Sequence, residues 1–144
     1  ECYPGPINQV FMNLLVNAID AIEDTLNTNT DKSSSKSSSI GTITIHTALQ
    51  NDAWVRVKIM DTGCGIPDSI KTRIFDPFFT TKPVGTGTGM GLSICYQIVH
   101  ELHSGHLECL SSPREGTCFE IYLPLIQSLK KDLSEAKSSV GIKH

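Results

Sequence analysis

Residues 84–102, "VGTGTGMGLSICYQIVHEL", place Gly85, Gly87, Gly89 and Gly91 at alternate positions and then run directly into an apolar segment of helical period. Each of these glycines raises the entropy cost of ordering the backbone, so the run needs a use. Glycine admits positive φ and, lacking a Cβ, lets a ligand approach the main chain. A helix N-terminus just beyond would offer unpaired N–H groups and a positive dipole end, which suit phosphate. A P-loop is ruled out because no Gly-Lys-Ser/Thr follows. The G-x-G-x-x-G dinucleotide fingerprint fails because Met90 and Leu92 stand where its last glycine should be. Pro83, in "FFTTKP", also breaks any strand leading into the run. The stretch reads as a phosphate loop of some third kind, with a flexible linker as the plain alternative.

The chain has 144 residues, enough for one domain with a real core. Its 39% hydrophobic and 19% charged content fits a globular protein, with no apolar run long enough to span a bilayer. A net charge of −3 leaves no electrostatic footprint for nucleic acid. Five cysteines, none in a C-x-x-C pair, argue against zinc and a disulfide framework and for reduced thiols. No signal peptide is visible, and the start at Glu1 suggests a piece of a longer protein.

Residues 7–26 read as a helix, with Pro6 in its first turn and Val10, Phe11, Leu14, Leu15, Ala18, Ile19 and Ile22 forming the apolar stripe. Residues 27–41, "NTNTDKSSSKSSSIG", are a low-complexity loop. "TITIHTAL" and "WVRVKIM" alternate as a hairpin about Asn51-Asp52. A short helical piece follows near 69–74, then a helix over 91–103 that buries Leu92, Ile94, Cys95, Ile98 and Leu102 and stops at Gly105. "HLECLSS" and "TCFEIYLPL" form a second hairpin, and the residues beyond are a polar tail. This order suggests an α/β sandwich with helices on one face of a sheet.

Gln9, Asn13, Asn17, Asp20 and Asp24 recur at steps of three or four and line one stripe of the first helix. Asparagine is a poor helix former. Two at i and i+4 make sense if their amides meet a hard cation or phosphate, although an exposed polar stripe is also ordinary. Asp61, at a strand end in "DTGCGIP", is suited to accept an exocyclic amine such as that of adenine, and the glycines beside it leave room for a flat ring. Alone, the same residues are a common turn.

Taken together, "NQVFMNLLVNAIDA", "DTGCGIP", "IFDPFFTTK", "GTGTGMGLS" and "GTCFEIYLP" resemble, in order and spacing, the N, G1, F, G2 and G3 boxes of the catalytic ATP-binding domain of bacterial sensor histidine kinases. The likeness covers residues 5–124 and is strongest to the nitrogen-regulation-type kinases. It implies the Bergerat (GHKL) fold: α+β, a two-layer α/β sandwich with a mixed sheet, helices on one face and a flexible ATP lid. It also implies domain bounds of 1–125 for the catalytic ATP-binding domain, with the lid at 66–88 and the tail at 126–144.

By the same resemblance, Asn17 holds Mg²⁺ and Asn13 contacts phosphate. Asp61 accepts the adenine amine, with Gly63 and Gly65 shaping that pocket. Lys82 approaches the terminal phosphates, and Gly87, Gly89 and Gly91 hinge the lid and present main-chain N–H groups. Ile66, Thr88, Met90 and Leu92 complete the nucleotide-binding set, and Thr117 backs the adenine pocket. Phe75, Phe78 and Phe79 anchor the lid by packing. The implied catalytic residues are Asn13 and Lys82, and the cofactors are ATP and Mg²⁺.

The implied partners are a histidine-bearing dimerisation domain of the same kinase and a downstream response regulator, with no nucleic acid and no direct membrane contact. The implied location is cytoplasmic. A GHKL ATPase and a silent nucleotide-binding module are the rival functions. The hydrolysing branch needs a glutamate one turn before the Mg²⁺ asparagine, and this chain has Asn13 there.

Two departures stand out. Many family members carry a basic residue where this chain has Asp20, so a phosphate contact from that position is not expected. His100-Glu101 mimics part of a phosphoacceptor motif but lies on the helix after the lid, as a solvated helix end. Cys64 sits in the adenine-side loop, where it reads as a packed free thiol rather than a reactive one.

Overall fold

A computed structural model describes residues 1–29, 40–83 and 87–126. Most of the Ser-rich loop, three residues of the expected lid and nearly all of the expected tail therefore lie outside the described residues.

The first helix, α1, spans Pro4–Asn29, three residues longer at each end than the 7–26 read from the sequence. Pro4 and Pro6 fall within the first turn, where main-chain N–H groups have no intrahelical partner to lose. Ile7, Val10, Leu14 and Ala18 are buried at the i, i+3, i+4 spacing that faces a core. Ile19, read as part of that stripe, is 46% exposed at its margin.

Among the described residues four strands follow: β1 Ile43–Gln50, β2 Trp54–Asp61, β3 His106–Ser112 and β4 Gly116–Pro124. Their order is β1-β2-β4-β3 and every pairing is antiparallel, which corrects the expected mixed sheet. Two tight hairpins account for β1 with β2 and β3 with β4, and β2 and β4 join them at the centre. The β1–β2 turn places Asn51 and Asp52 both at φ 52, the left-handed pair that suits a hairpin.

Register then sorts the side chains. Ile59 lies opposite Phe119, Val57 opposite Ile121 and Asp61 opposite Thr117, so all six point to one face. That face meets α1 and a later helix, and its core holds Leu14, Val57, Ile59, Cys95, Val99, Phe119 and Ile121. Asp61 is the polar end of an otherwise apolar row. The opposite face carries Lys58, whose Nζ reaches Glu120 Oε1 at 2.5 Å, and Tyr122, whose hydroxyl donates to Glu120 Oε2 at 2.6 Å.

A single turn, α2 Asp68–Lys71, precedes α3 Gly91–Gln97, which continues as a π turn over Ile98–Leu102. The sequence predicted an unbroken α-helix burying Ile98 and Leu102. The π turn advances fewer degrees per residue, so Val99 and His103 rotate inward, both fully buried, while Leu102 is 42% exposed.

His103 ties the π turn to the N-terminus. Its main-chain N–H and its Nδ1 both bond to Ile98 O, at 3.2 and 2.9 Å, while its Nε2 accepts the Tyr3 amide at 3.0 Å. The left-handed residue that ends the helix is Ser104, at φ 51, not Gly105.

Candidate functional site

One cavity of about 470 Å³ lies between α1, the helix-facing end of β2 and β4, and the segments flanking α3. Most residues singled out from the sequence meet there: Asn13, Asn17, Asp61, Gly65, Ile66, Lys82, Gly87, Thr88, Gly89, Gly91, Leu92 and Thr117 all line it. Gly63 and Met90 do not line it. Gly63 stands behind Asp61, and Met90 is the residue before α3.

Asp61 is 7% exposed, and its Oδ1 accepts the Gly63 amide at 2.8 Å and the Thr117 amide at 3.3 Å. Both bonds use the same oxygen, so Oδ2 keeps its acceptor capacity for a ligand. Burial raises the Asp61 carboxyl above its ordinary value, and the two amides oppose that rise by favouring the charged form. Around this carboxylate the lining is apolar, with Ile66, Ile70, Ile74, Leu92 and Phe119 beside Thr117. A flat heterocycle with one amine donor fits such a slot.

The glycines of "DTGCGIP" are fixed by protein contacts as well as by any ligand. Gly65 has φ +71, and a Cβ there would lie 2.0 Å from Ser112 O. The loop is held against α1 by the Cys64 amide, which donates to Ala21 O at 3.2 Å, and against β3 by the Ile66 amide, which donates to Ser111 Oγ at 2.8 Å.

The other end of the cavity is polar. Asn13, Asn17, Asp20 and Asp24 form its α1 wall, while Gln9 from the same stripe is exposed elsewhere. Asn13 donates Nδ2 to Gly91 O at 3.2 Å, which leaves its Oδ1 available. Among the described residues the Asn17 side chain shows no protein hydrogen bond. Two amide oxygens on adjacent turns are hard donors, and they suit a cation that takes few protein ligands, so this wall fits Mg²⁺.

Among the described residues no side chain caps the N-terminus of α3, which leaves its first amides suited to meet an anion. Gly89, at φ +66, lies against the Phe78 main chain, where a Cβ would come within 2.5 Å of Phe78 C.

The expectations for Phe78 and His100 need correction. Phe78 does not anchor anything by packing: it is 75% exposed and sits at φ 65, while Phe75 and Phe79 pack against the core. Lys82 lines the cavity and pairs there with Asp20 on α1. His100 is no solvated end, since its ring packs between Tyr96 and His106, with centroids 4.3 and 5.3 Å away.

Sequence reasoning passed over Ile70, Ile74, Thr80 and Thr81 and took Phe79 for a lid anchor alone, yet all five line the cavity. The steps of four from Ile66 to Ile70 to Ile74 were the available signal. Cys64 lines the cavity too, exposed rather than packed as expected, and partial desolvation together with the charges of Asp24 and Asp61 pushes its thiol up.

Residues 3–127 match the family described as "Histidine kinase-, DNA gyrase B-, and HSP90-like ATPase". The chain belongs to this family.

Among proteins of the histidine kinase-, gyrase B- and HSP90-like ATPase family, the sensor kinase CckA of Brucella abortus is 39% identical over 134 residues, covering 89% of this chain and 13% of that protein. The signal transduction histidine-protein kinase AtoS of Escherichia coli is 38% identical over 119 residues, covering 83% of this chain and 17% of AtoS. The chain therefore spans under a fifth of either relative. The nucleotide-free catalytic domain of the histidine kinase ThkA superposes with a TM-score of 0.65 at 32% identity, over 85% of this chain and 69% of that one.

Proposed function

We infer that this chain is the ATP-binding catalytic domain of a sensor histidine kinase. It would deliver the ATP γ-phosphoryl group to a histidine on a separate dimerisation domain, from which a response regulator takes it. The observation that carries this reading is the polarity of one cavity. A buried strand-end carboxylate stands at its apolar end, and two helix amides and a lysine stand at its polar end.

The chain's own residues have separable tasks in that reading. Asp61 Oδ2 accepts the adenine amine, and Ile66, Ile70, Ile74 and Phe119 exclude water from the ring. Thr117 backs Asp61 through its amide. Asn17 offers its Oδ1 to Mg²⁺, which when bound would neutralise charge on the phosphate oxygens, and Asn13 contacts phosphate. Lys82 and the main chain at 87–91, with the amides at the start of α3, position the terminal phosphates. Phosphoryl transfer asks mainly for such positioning and charge neutralisation.

The acceptor imidazole is nucleophilic when neutral and needs no strong base from this domain. Asn13 also stands one turn before Asn17, where a carboxylate would be needed to take a proton from water, and an amide cannot do so. That favours transfer over hydrolysis.

In the parent protein the domain would span residues 1–125, with a lid at 66–88, and work in the cytoplasm. No helix among the described residues is long and apolar enough to cross a membrane. Mixing the chain with the histidine-bearing domain of its parent and labelled ATP tests the reading. Label on histidine supports it, whereas phosphate release without labelled protein points to an ATPase.

A further inference from the structure

Nucleotide recognition alone leaves one contact at the polar end of the cavity without a role. Lys82, the one Lys or Arg among the described residues lining the cavity, has its Nζ paired with Asp20 Oδ2 on α1. The two side chains are 37% and 36% exposed, so solvent and ligand can reach both. Asp20 lies three residues beyond Asn17, on the same face of the helix, and both line the cavity. The lysine's position is also set from its own side, since its main-chain amide donates to Thr80 Oγ1 at 3.1 Å. A carboxylate thus occupies, in charge and hydrogen-bonding capacity, the place a phosphate oxygen would take on that lysine.

We propose that Asp20 is a specificity-determining residue: it holds Lys82 until a terminal phosphate displaces it, and its freed carboxylate then makes polyphosphate binding depend on a divalent cation. The inference rests on the nucleotide reading above. A monophosphate too short to reach Lys82 leaves the Asp20–Lys82 pair intact and draws nothing from the lysine. A triphosphate exchanges one ion pair for another. Pairs this exposed are weak, so the exchange itself changes affinity by only about two- to fivefold. After the exchange, however, an unpaired carboxylate stands beside a polyanion, and like charges at short range repel unless a cation lies between them. Metal-free triphosphate is therefore penalised more than the metal-loaded form.

Calorimetric titration distinguishes this from a passive surface pair. The ligands are an ATP analogue with a non-hydrolysable β–γ bridge, titrated with Mg²⁺ and with EDTA, and AMP. The proteins are wild type, Asp20→Asn, Asp20→Glu and Asp61→Asn, each checked for a native fold by circular dichroism. Wild type should favour the metal-loaded analogue strongly. Asp20→Asn should tighten metal-free binding by about fivefold or more and so narrow the gap, with a smaller effect on AMP. Asp20→Glu, which keeps the charge, should retain the wild-type gap. An unchanged gap in Asp20→Asn, with nucleotide still bound and still sensitive to Asp61→Asn, overturns the role of Asp20 and leaves the nucleotide reading standing. Absence of nucleotide binding in wild type overturns both.

Discussion

Asn13 on α1 donates its side-chain amide to Gly91 O, the first residue of α3, across 78 positions of sequence and 3.2 Å of space. The bond joins the two helices at the polar end of the cavity, so the same residue is both a structural tie and a candidate ligand. Asn17, one turn on, has no such tie among the described residues. The two should therefore separate in experiment. Asn13→Ala should lower stability by about 0.5–1.5 kcal/mol as well as weaken nucleotide binding. Asn17→Ala should weaken Mg²⁺-dependent binding with little change in melting temperature. Thermal melts of both variants, with and without nucleotide, check this.

Asp61 sets a pH dependence whose sign follows from burial. Its folded-state carboxyl is raised, so the group favours the fold in its protonated form. That contribution is complete below the ordinary carboxylate value and is lost as pH rises through the higher folded value. At neutral pH the charged carboxylate weighs against the fold, so Asp61→Asn should not lower the melting temperature there. Nucleotide affinity should fall as the medium is acidified, beginning at a higher pH than an ordinary aspartate would give. Titrating binding from pH 7.5 to pH 5 measures the onset.

The Lys58–Glu120 pair on the outer sheet face works in the opposite direction. The lysine, and then the Tyr122 hydroxyl, hold the Glu120 carboxyl below its ordinary value. This stabilisation is present above the ordinary glutamate range and is lost as pH falls through the depressed folded value. Lys58→Met should flatten the loss of urea stability between pH 5 and pH 3 relative to wild type.

Gly65 is held at φ +71 with Ser112 O in the place of any Cβ. Gly65→Ala should destabilise the protein by about 1–3 kcal/mol and loosen the adenine-side loop. Gly91 is a contrast, because a Cβ there would meet only the Asn13 side chain, at 3.8 Å or beyond. Gly91→Ala should fold normally and show its effect in nucleotide affinity. Chemical denaturation of the two variants side by side checks the difference.

Periodicity carried much of this into the sequence. The strict alternation of "WVRVKIM" already places Asp61 on the face shared by Val57 and Ile59, and steps of three and four already place Asn13, Asn17, Asp20 and Asp24 on one stripe. What periodicity could not convey were features set by partners distant in sequence. At the π turn that ends the α3 helix, His103 accepts at Nε2 the amide of Tyr3, 100 positions away. Lys82 met Asp20 rather than open solvent across 62 positions. The left-handed φ of Phe78 came from chain geometry that an aromatic side chain does not advertise. The mixed sheet was an expectation from resemblance, whereas two local hairpins paired through β2 and β4 give an antiparallel one.

The most direct test of the account is the affinity of an ATP analogue with Mg²⁺ for wild type, Asp61→Asn and Asn17→Ala, measured by calorimetry. Loss of one hydrogen bond to a charged acceptor is worth about 1.5–3 kcal/mol, so Asp61→Asn should weaken binding roughly ten- to a hundredfold. Asn17→Ala should weaken it only when Mg²⁺ is present. Wild-type affinity in both variants would contradict the account.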